Sequence, residues 1–206
     1  MALQNATPMI NKVKAVSRLV GCLSILLNDM RTDNKLMDML TGYAAAHQHP
    51  FNIFVHMIGI PTIMLGVLIP LAQISISVND FRFNLAQVLV LAFVAFYTTL
   101  DLLFAGVFLL LAAALVVLAT WIGEFPHEIS WTIAALCFFG GYAAQFIGHA
   151  VEKSMPVLAK HPIQANLAAP FFTVVEMFKI LGLRDELFNA VQAEVVARQD
   201  SETSAT

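Results

Sequence analysis

The middle of this chain is too apolar for a water-soluble domain of ordinary composition. Between positions 46 and 150 a single Lys or Arg occurs, Arg82. Over all 206 residues the chain is 59% hydrophobic and 12% charged, whereas soluble domains carry about 25% charged residues. Three long apolar runs account for the difference, at 53–74, 85–122 and 129–148. A bilayer-spanning helix needs about 20 such residues, so the sequence predicts an all-α, polytopic membrane helical bundle.

The second run is long enough for two helices. One helix over its 38 residues would be about 57 Å long, nearly twice the thickness of the hydrocarbon core. We therefore expect two spans, over about 85–100 and 103–122, with a turn near Asp101, and about four transmembrane helices in all. The connection over 75–84 is expected to be a loop. Ten of the eleven Lys and Arg residues lie outside the bundle, and with an even number of spans this predicts that both termini are cytoplasmic.

The flanks of the apolar region are more polar and divide the chain into three parts. Residues 1–42 are expected to form an amphipathic N-terminal extension whose basic side chains lie near lipid head groups. Residues 43–185 form the expected membrane domain, which includes a short apolar helix over 168–181. Residues 186–206 add a C-terminal helix and a polar tail.

The composition disfavours several function classes. The net charge of −3 and the lack of a basic stripe argue against a nucleic-acid partner. Cys22 and Cys137 stand in apolar segments without a CxxC pairing, so neither a zinc ribbon nor a disulfide framework is supported. The sequence has no GxSxG, Walker loop, GxGxxG or HExxH motif, and no histidine pair of the membrane di-iron desaturase type. The oligomeric state stays open.

Five of the six histidines stand where the expected topology brings separate parts of the chain to one membrane face. Three are at the start of the first span and two at or after the end of the last one: His47, His49, His56, His149 and His161. Imidazole is a common ligand of transition metals, and titratable groups are costly near hydrocarbon. For any single histidine, a backbone hydrogen bond at the interface is the simpler interpretation. The convergence of two groups favours a metal site.

The spacing of the first group leaves its ligands open. His47 precedes His56 by nine residues, half a turn out of phase on one helix, so the two can share a metal only if the chain bends near Pro50. His49 and His56 are seven residues apart and align without a bend. Asn52 and His56, four residues apart, share a helix face.

The last span ends in a polar stripe. Gln145, His149 and Glu152 follow i, i+4, i+7 spacing and lie on one helix face. A His and a Glu three residues apart can supply two ligands from one helix. Nitrogen ligands with one or two carboxylates suit Fe(II), Mn or Zn, and ligand type alone does not choose among these metals.

Two motifs of this chain resemble those of the fungal-type 2-hydroxy-fatty-acid (2-hydroxypalmitate) dioxygenase family. The first reads His47-x4-Asn52-x3-His56-x2-Gly59-x-Pro61, preceded by Tyr43. The second reads Gln145-Phe-Ile-Gly-His149-x2-Glu152-Lys153-x2-Pro156, followed by Ala169-Pro170-Phe171-Phe172 and Glu176. The resemblance runs from about Tyr43 to Gly182 and leaves the first 40 residues outside.

The resemblance implies a small multi-pass membrane enzyme that uses Fe(2+) and O2 to remove one carbon from a 2-hydroxy fatty acid in fatty-acid α-oxidation. It implies four candidate metal ligands: His47, His56, His149 and, as the fourth, Glu152. Three residues are implied as supports of the ligands or as contacts of the substrate carboxylate: Asn52, Gln145 and, more weakly, Glu176. His49 and His161 depart from the family pattern and receive no role.

Two other function classes stay open on the sequence. A small membrane transporter would place titratable groups at bilayer depth, whereas here they collect at one face, and no inverted repeat is evident. A non-enzymatic membrane assembly protein would use the histidines to anchor helix ends. The fungal family works at the endoplasmic reticulum. Since the C-terminus carries no eukaryotic retention signal, we expect a bacterial inner membrane, or the endoplasmic reticulum if the source is eukaryotic.

Overall fold

The computed structural model describes residues 35–45, 47–78, 81–155 and 162–204, and this part of the chain is mainly helical. In chain order the helices are α1 (35–45), α2 (Pro50–Ala72), α3 (Leu85–Tyr97), α4 (Leu102–Gly123), α5 (His127–Glu152), α6 (Pro162–Ile180) and α7 (Asp185–Ser204). Two short strands, β1 (Ser75–Val78) and β2 (Phe81–Asn84), connect α2 to α3. The prediction of an all-α membrane bundle is confirmed.

Three helices, α2, α4 and α5, are long and apolar enough to cross a membrane, with 23, 22 and 26 residues. Two further segments, Ala165–Ile180 and Asp185–Ser201, pass the same test only as a pair bent by 113°. The second expected span is a shorter helix, because the 13 residues of α3 reach only about 20 Å. The described residues therefore provide three or four candidate spans, as a multi-pass membrane protein requires.

Polar side chains set the two ends of α3. Asn84 begins the helix with a capping box, in which its side chain and that of Gln87 each accept a hydrogen bond from the other residue's backbone N–H. At the other end the hydroxyls of Thr98 and Thr99 donate to carbonyls of the last turn. Asp101 then caps α4 by accepting a hydrogen bond from the Phe104 N–H at 3.0 Å. The turn thus lies where the sequence predicted it.

The segment over 75–84, expected as a loop, contains an antiparallel hairpin. Ser75 pairs with Asn84 and Ile76 pairs with Phe83. The Leu85 N–H donates to the Ile74 carbonyl at 2.9 Å, which places the start of α3 beside the end of α2. The sequence carried a signal for this hairpin, because a two-residue Asn-Asp connection between strand-forming residues favours a tight turn.

Helix α2 packs closely against α5 along a row of glycines. A Cβ added to Gly66 would lie 2.6 Å from the Phe138 backbone nitrogen, and a Cβ added to Gly141 would lie 3.0 Å from the Gly59 carbonyl oxygen. Small residues allow membrane helices to approach at their backbones. This contact fixes α2 and α5 relative to each other, and both helices carry histidines predicted as ligands.

The remaining helices enclose an aromatic core beside α2. Tyr97, Phe104, Phe108 and Phe171 are fully buried, and the Tyr97 hydroxyl donates to the Leu167 carbonyl at 2.7 Å, which ties α3 to α6.

Helix α1 is the described part of the expected N-terminal extension. It continues across position 42 to residue 45, it buries Leu36 and Leu40, and Asp38 pairs with Arg198 of α7 at 2.8 Å. The rest of that extension, and His161, lie outside the described residues.

Candidate metal centre

Three buried histidines from distant parts of the sequence meet at one point. His47 lies between α1 and α2, His56 lies in the second turn of α2, and His149 lies in the last turn of α5. Each offers a ring nitrogen within 4.8 Å of the other two, and the ring centroids are separated by 4.4, 4.9 and 5.0 Å. The exposed fractions are only 4%, 5% and 4%.

In each of the three rings, Nδ1 is already engaged by a local partner at 2.9 Å. These partners are the Tyr43 carbonyl for His47, the Asn52 carbonyl for His56 and the Ser154 hydroxyl for His149. A neutral imidazole that donates from Nδ1 keeps an Nε2 lone pair. Histidines that bind metals usually hold their second nitrogen in this way. The Nε2 atoms are therefore the nitrogens available at the meeting point.

The burial and the protonation of His47 are those expected of a metal ligand. Its Nε2 atom is buried and has no hydrogen-bond partner in the described part of the chain. Leaving a buried polar atom unsatisfied costs about 1–3 kcal/mol, and a metal ion would remove that cost. Burial, assisted by the neighbouring His56, lowers the pKa of His47 to about 3. The imidazole is therefore neutral near pH 7, as a metal ligand must be.

The bend that a site shared by His47 and His56 requires is present. Helix α1 ends at residue 45 and α2 begins at Pro50, a residue suited to the first helical position. His49 caps α2, since its Nδ1 accepts a hydrogen bond from the Phe51 N–H at 3.2 Å, and it is exposed. Of the two pairings that the spacing left open, the structure brings His47, and not His49, to His56.

The Glu152 carboxylate faces the start of α2. Its Oε1 accepts hydrogen bonds from the backbone N–H groups of Gln48 at 2.6 Å and His49 at 3.1 Å, and its Oε2 accepts one from the Asn52 amide. A carboxylate at a helix N-terminus is favourable, and charge-assisted bonds are strong. Both oxygens of this predicted metal ligand are thus engaged in joining the end of α5 to the start of α2.

Asn52 connects Glu152 to the histidines. The side chain is fully buried, its amide donates to Glu152, and its backbone carbonyl accepts from His56 at 2.9 Å. A Cβ at Gly148 would collide with the Asn52 side chain. Position 148 therefore requires glycine so that α5 can approach this asparagine closely.

The Tyr43 ring is the middle one of three stacked rings and lies between those of His47 and Phe172. Its ring centroid is 3.7 Å from that of His47 and 3.6 Å from that of Phe172 on α6. Neither aromatic residue could be given a role from the sequence. The spacing of four residues between Tyr43 and His47 was the signal that could have shown this contact.

The other two predicted residues line two different cavities beside the histidines. Gln145, one helical turn before His149, lines the large cavity described below. Glu176 of α6 is 8% exposed, carries an ion pair with Lys179 at 3.7 Å, and lines a small recess together with Tyr43 and His56. The structure thus places every predicted site residue at or beside the three histidines.

An apolar cavity of about 680 Å³ extends from the three histidines into the bundle. Its volume is that of a typical small-molecule site, which spans about 300–1,000 Å³. Six residues of one face of α2 line it: His56, Ile60, Ile63, Met64, Val67 and Leu68. The three histidines and Gln145 form a polar cluster in the lining, Asp38, Tyr142 and Asn166 add further polar groups, and aliphatic and aromatic side chains form most of the remaining wall. This shape suits an amphipathic molecule with one polar end.

Comparisons with known proteins agree with the resemblance seen in the sequence. A family model described as 2-hydroxy-palmitic acid dioxygenase Mpo1-like matches residues 34–180. The 2-hydroxy-palmitic acid dioxygenase MPO1 of Saccharomyces cerevisiae is 30% identical over 170 residues, which cover 80% of this chain and 91% of that protein. No solved structure matches. The three histidines and the whole lining of the cavity fall inside the matched range, and the resemblance seen in the sequence is confirmed: this chain belongs to the family of Mpo1-like 2-hydroxy-palmitic acid dioxygenases.

Proposed function

We propose that this protein is an Fe(II)-dependent dioxygenase that removes one carbon from 2-hydroxy fatty acids in α-oxidation. The observation that carries the proposal is the meeting of three buried imidazoles at the polar end of an apolar cavity. The relative from Saccharomyces cerevisiae is named for 2-hydroxy-palmitic acid. A molecule of that class has a polar head and an apolar chain, which correspond to the two ends of the cavity.

In this proposal His47, His56 and His149 hold the metal through their Nε2 atoms. Three neutral ligands leave the charge of a divalent ion uncompensated, which favours an anionic head group beside it. When bound, Fe(II) with open coordination positions supplies the chemistry with O2 and an anchor for the 2-hydroxy acid. The buried, unpartnered Nε2 of His47 supports this assignment.

Glu152 and Asn52 act as positioning residues in this proposal. Both carboxylate oxygens of Glu152 accept bonds from the start of α2, so we assign Glu152 to that role rather than to the metal. Asn52 holds the Nδ1 of His56 through its backbone carbonyl. Together they fix the separation between the imidazoles of His56 and His149.

Gln145 is the proposed contact for the substrate head group. Its side chain lines the cavity one turn from His149, and an amide can donate to a carboxylate while it accepts from a hydroxyl. Glu176 lines the small recess that Tyr43 and His56 also line. We assign it a supporting role for these two residues.

The proposed site lies at the cytoplasmic membrane face, with both termini in the cytoplasm. Basic residues concentrate outside the apolar runs, which favours that orientation. An acyl chain would enter from the membrane lipid between helices, and the charged head group would stay at the interface. A bacterial inner membrane is the proposed location, or the endoplasmic reticulum in a eukaryotic cell.

The test is metal content together with turnover of the detergent-purified protein. We expect about one iron per chain, and O2 consumption with 2-hydroxypalmitate that yields the acid one carbon shorter. Combined His56→Ala and His149→Ala substitutions should abolish both. His127→Ala is the matched control, because His127 is exposed at the far end of α5. Retained turnover in the double variant would refute the proposed site.

The same preparation tests the two alternative classes. Substrate flux into liposomes that does not depend on metal would favour a membrane transporter. A purified protein with neither bound metal nor turnover would favour a non-enzymatic assembly protein.

A further inference from the structure

We infer that the end of the cavity remote from the histidines, formed by Val67 of α2 and Leu89 of α3, sets the length of the acyl chain that the protein accepts. The inference rests on the proposed function, because it takes the histidine end as the place of the head group. The proposed effect on chain length is steric, and the residues that produce it are different from those that hold the metal.

One face of α2 provides a continuous wall from the head-group end to the far end. Residues 56, 60, 63, 64, 67 and 68 follow the spacing of a single helix face, and all six line the cavity. At a rise of 1.5 Å per residue, Val67 lies about 16 Å along the axis from His56. A linear chain whose head is at His56 therefore runs along this face toward Val67.

Helix α5 lines only the histidine half of the cavity. Its lining residues, from His149 back to Tyr142, cover about two turns. Beyond them α5 packs directly on α2, where a Cβ on Gly66 would lie 2.6 Å from the Phe138 backbone nitrogen. This contact closes the space between α2 and α5, so the deeper part of the cavity runs between α2 and α3.

The start of α3 closes the far end. The hydrogen bond from the Leu85 N–H to the Ile74 carbonyl places this start beside the end of α2. Leu89 follows one turn later and lines the cavity together with Val90. Val67, Leu68, Leu89 and Val90 all line this end of the cavity, and Leu89 and Val67 are the half-buried members of the four, with more open space around their side chains. Their volumes therefore decide how far the cavity reaches.

The expected selectivity follows from the transfer free energy of methylene groups. Each methylene that leaves water for an apolar wall gains about fourfold in binding. A side chain that fills the far end removes this gain for the last methylenes of a long chain. It also displaces the head group of that chain from its place at the histidines. A chain too short to reach Leu89 is unaffected.

The decisive variant is Leu89→Phe. The value of kcat/KM for 2-hydroxypalmitate should fall at least tenfold, while the value for 2-hydroxydecanoate should stay within about twofold. Leu91→Phe is the matched control, since it is the same change on α3 at a residue that is 61% exposed on the outer surface. Equal losses for both substrates with Leu89→Phe, or the same shift with Leu91→Phe, would overturn the inference.

A second pair of variants covers the case in which Leu89→Phe does not fold. Leu89→Ala enlarges the far end and should move the preferred substrate to a longer chain. Val67→Phe approaches the same space from α2 and should move it to a shorter one. If these variants fold and keep the wild-type length preference, the far end does not set the length.

A binding measurement separates this inference from the proposed function. The probes are palmitate and decanoate, which lack the 2-hydroxyl, and each displaces a fluorescent fatty acid from the purified protein. If Leu89→Phe weakens palmitate at least tenfold and leaves decanoate unchanged, the length assignment holds even where no 2-hydroxy acid is turned over. Turnover with an unchanged ratio between long and short substrates would refute the length assignment alone.

Discussion

Tyr43 and His47 stack face to face, with ring centroids 3.7 Å apart and an angle of 11° between the ring planes. The backbone carbonyl of Tyr43 also accepts a hydrogen bond from the Nδ1 of the same imidazole at 2.9 Å. One residue therefore fixes both the plane and the tautomer of His47. Phe172 of α6 packs on the other face of Tyr43 at 3.6 Å, so the orientation of this candidate ligand depends on α1 and on α6.

Loss of the Tyr43 ring should weaken metal binding without removal of any ligand. Tyr43→Ala is expected to reduce metal affinity by about 10- to 100-fold, as for other groups that orient a ligand. Tyr43→Phe keeps the stack and the backbone carbonyl and should stay within about twofold. Titration of the metal-free protein with Fe(II) under anaerobic conditions measures both values. Wild-type affinity in Tyr43→Ala would show that the stack does not orient His47.

Glu152→Gln separates a positioning role from a ligand role for this carboxylate. The change removes the negative charge at the start of α2 and should lower the free energy of unfolding by about 1–3 kcal/mol. The bound metal should remain at the wild-type amount, because both oxygens accept hydrogen bonds, from Asn52 and from the residues just before α2.

Thermal unfolding and metal analysis of the same Glu152→Gln sample check this prediction. Glu128→Gln is the matched control, since Glu128 is an exposed residue in the first turn of the same helix. Loss of metal with unchanged unfolding would instead make Glu152 a ligand.

Acid should destabilise the metal-free protein through His47. Burial lowers the pKa of His47 to about 3 in the folded chain, against about 6.5 when unfolded. Above pH 6.5 both states are neutral and stability is unaffected. As the pH falls below 6.5, only the unfolded state takes up the proton, so the free energy of unfolding drops by about 1.4 kcal/mol per pH unit.

Unfolding of the metal-free protein between pH 7.5 and pH 5 tests this prediction, which amounts to a loss of about 2 kcal/mol at pH 5. His47→Phe keeps an aromatic ring beside Tyr43 and should reduce the pH dependence by that amount. An unchanged slope in His47→Phe would assign the acid sensitivity to other groups.

The parts of this structure that could be predicted from the sequence are those that depend on local pattern. Apolar runs predict helices wherever they occur, and Gln145, His149 and Glu152 share a face because their helix is continuous. The pairing of His47 with His56 could not be decided in this way, since it depends on where one helix ends and the next begins. The hydrogen bonds of Glu152 were harder still to predict, because two of its partners are backbone N–H groups about 100 residues earlier. Side-chain motifs do not reveal such donors.

The short length of α3 shows the same limit. The run over 85–122 and its Asp101 predict two helices with a turn between them, but they do not show that α3 ends after only 13 residues, where the hydroxyls of Thr98 and Thr99 bond to its last turn. The far end of the cavity depends on where α3 begins, since the hydrogen bond from the Leu85 N–H to the Ile74 carbonyl sets where Leu89 stands relative to Val67. Long-range packing of this kind leaves no periodic pattern in the sequence.

Substitutions at two neighbouring glycines of α5 test whether close contact with α2 holds the site together. A Cβ at Gly141 would lie 2.6 Å from Cγ1 and 3.2 Å from the backbone nitrogen of Ile63, whereas a Cβ at Gly140 would meet nothing within 4 Å. Gly141→Ala should therefore force the helices apart, lower the free energy of unfolding by about 1–3 kcal/mol and reduce metal content. Gly140→Ala should be neutral or stabilising by up to about 1 kcal/mol, because alanine favours the helix. Thermal unfolding and metal analysis of the two variants side by side decide the matter, and equal behaviour of both would mean that the α2–α5 contact does not control the distance between His56 and His149.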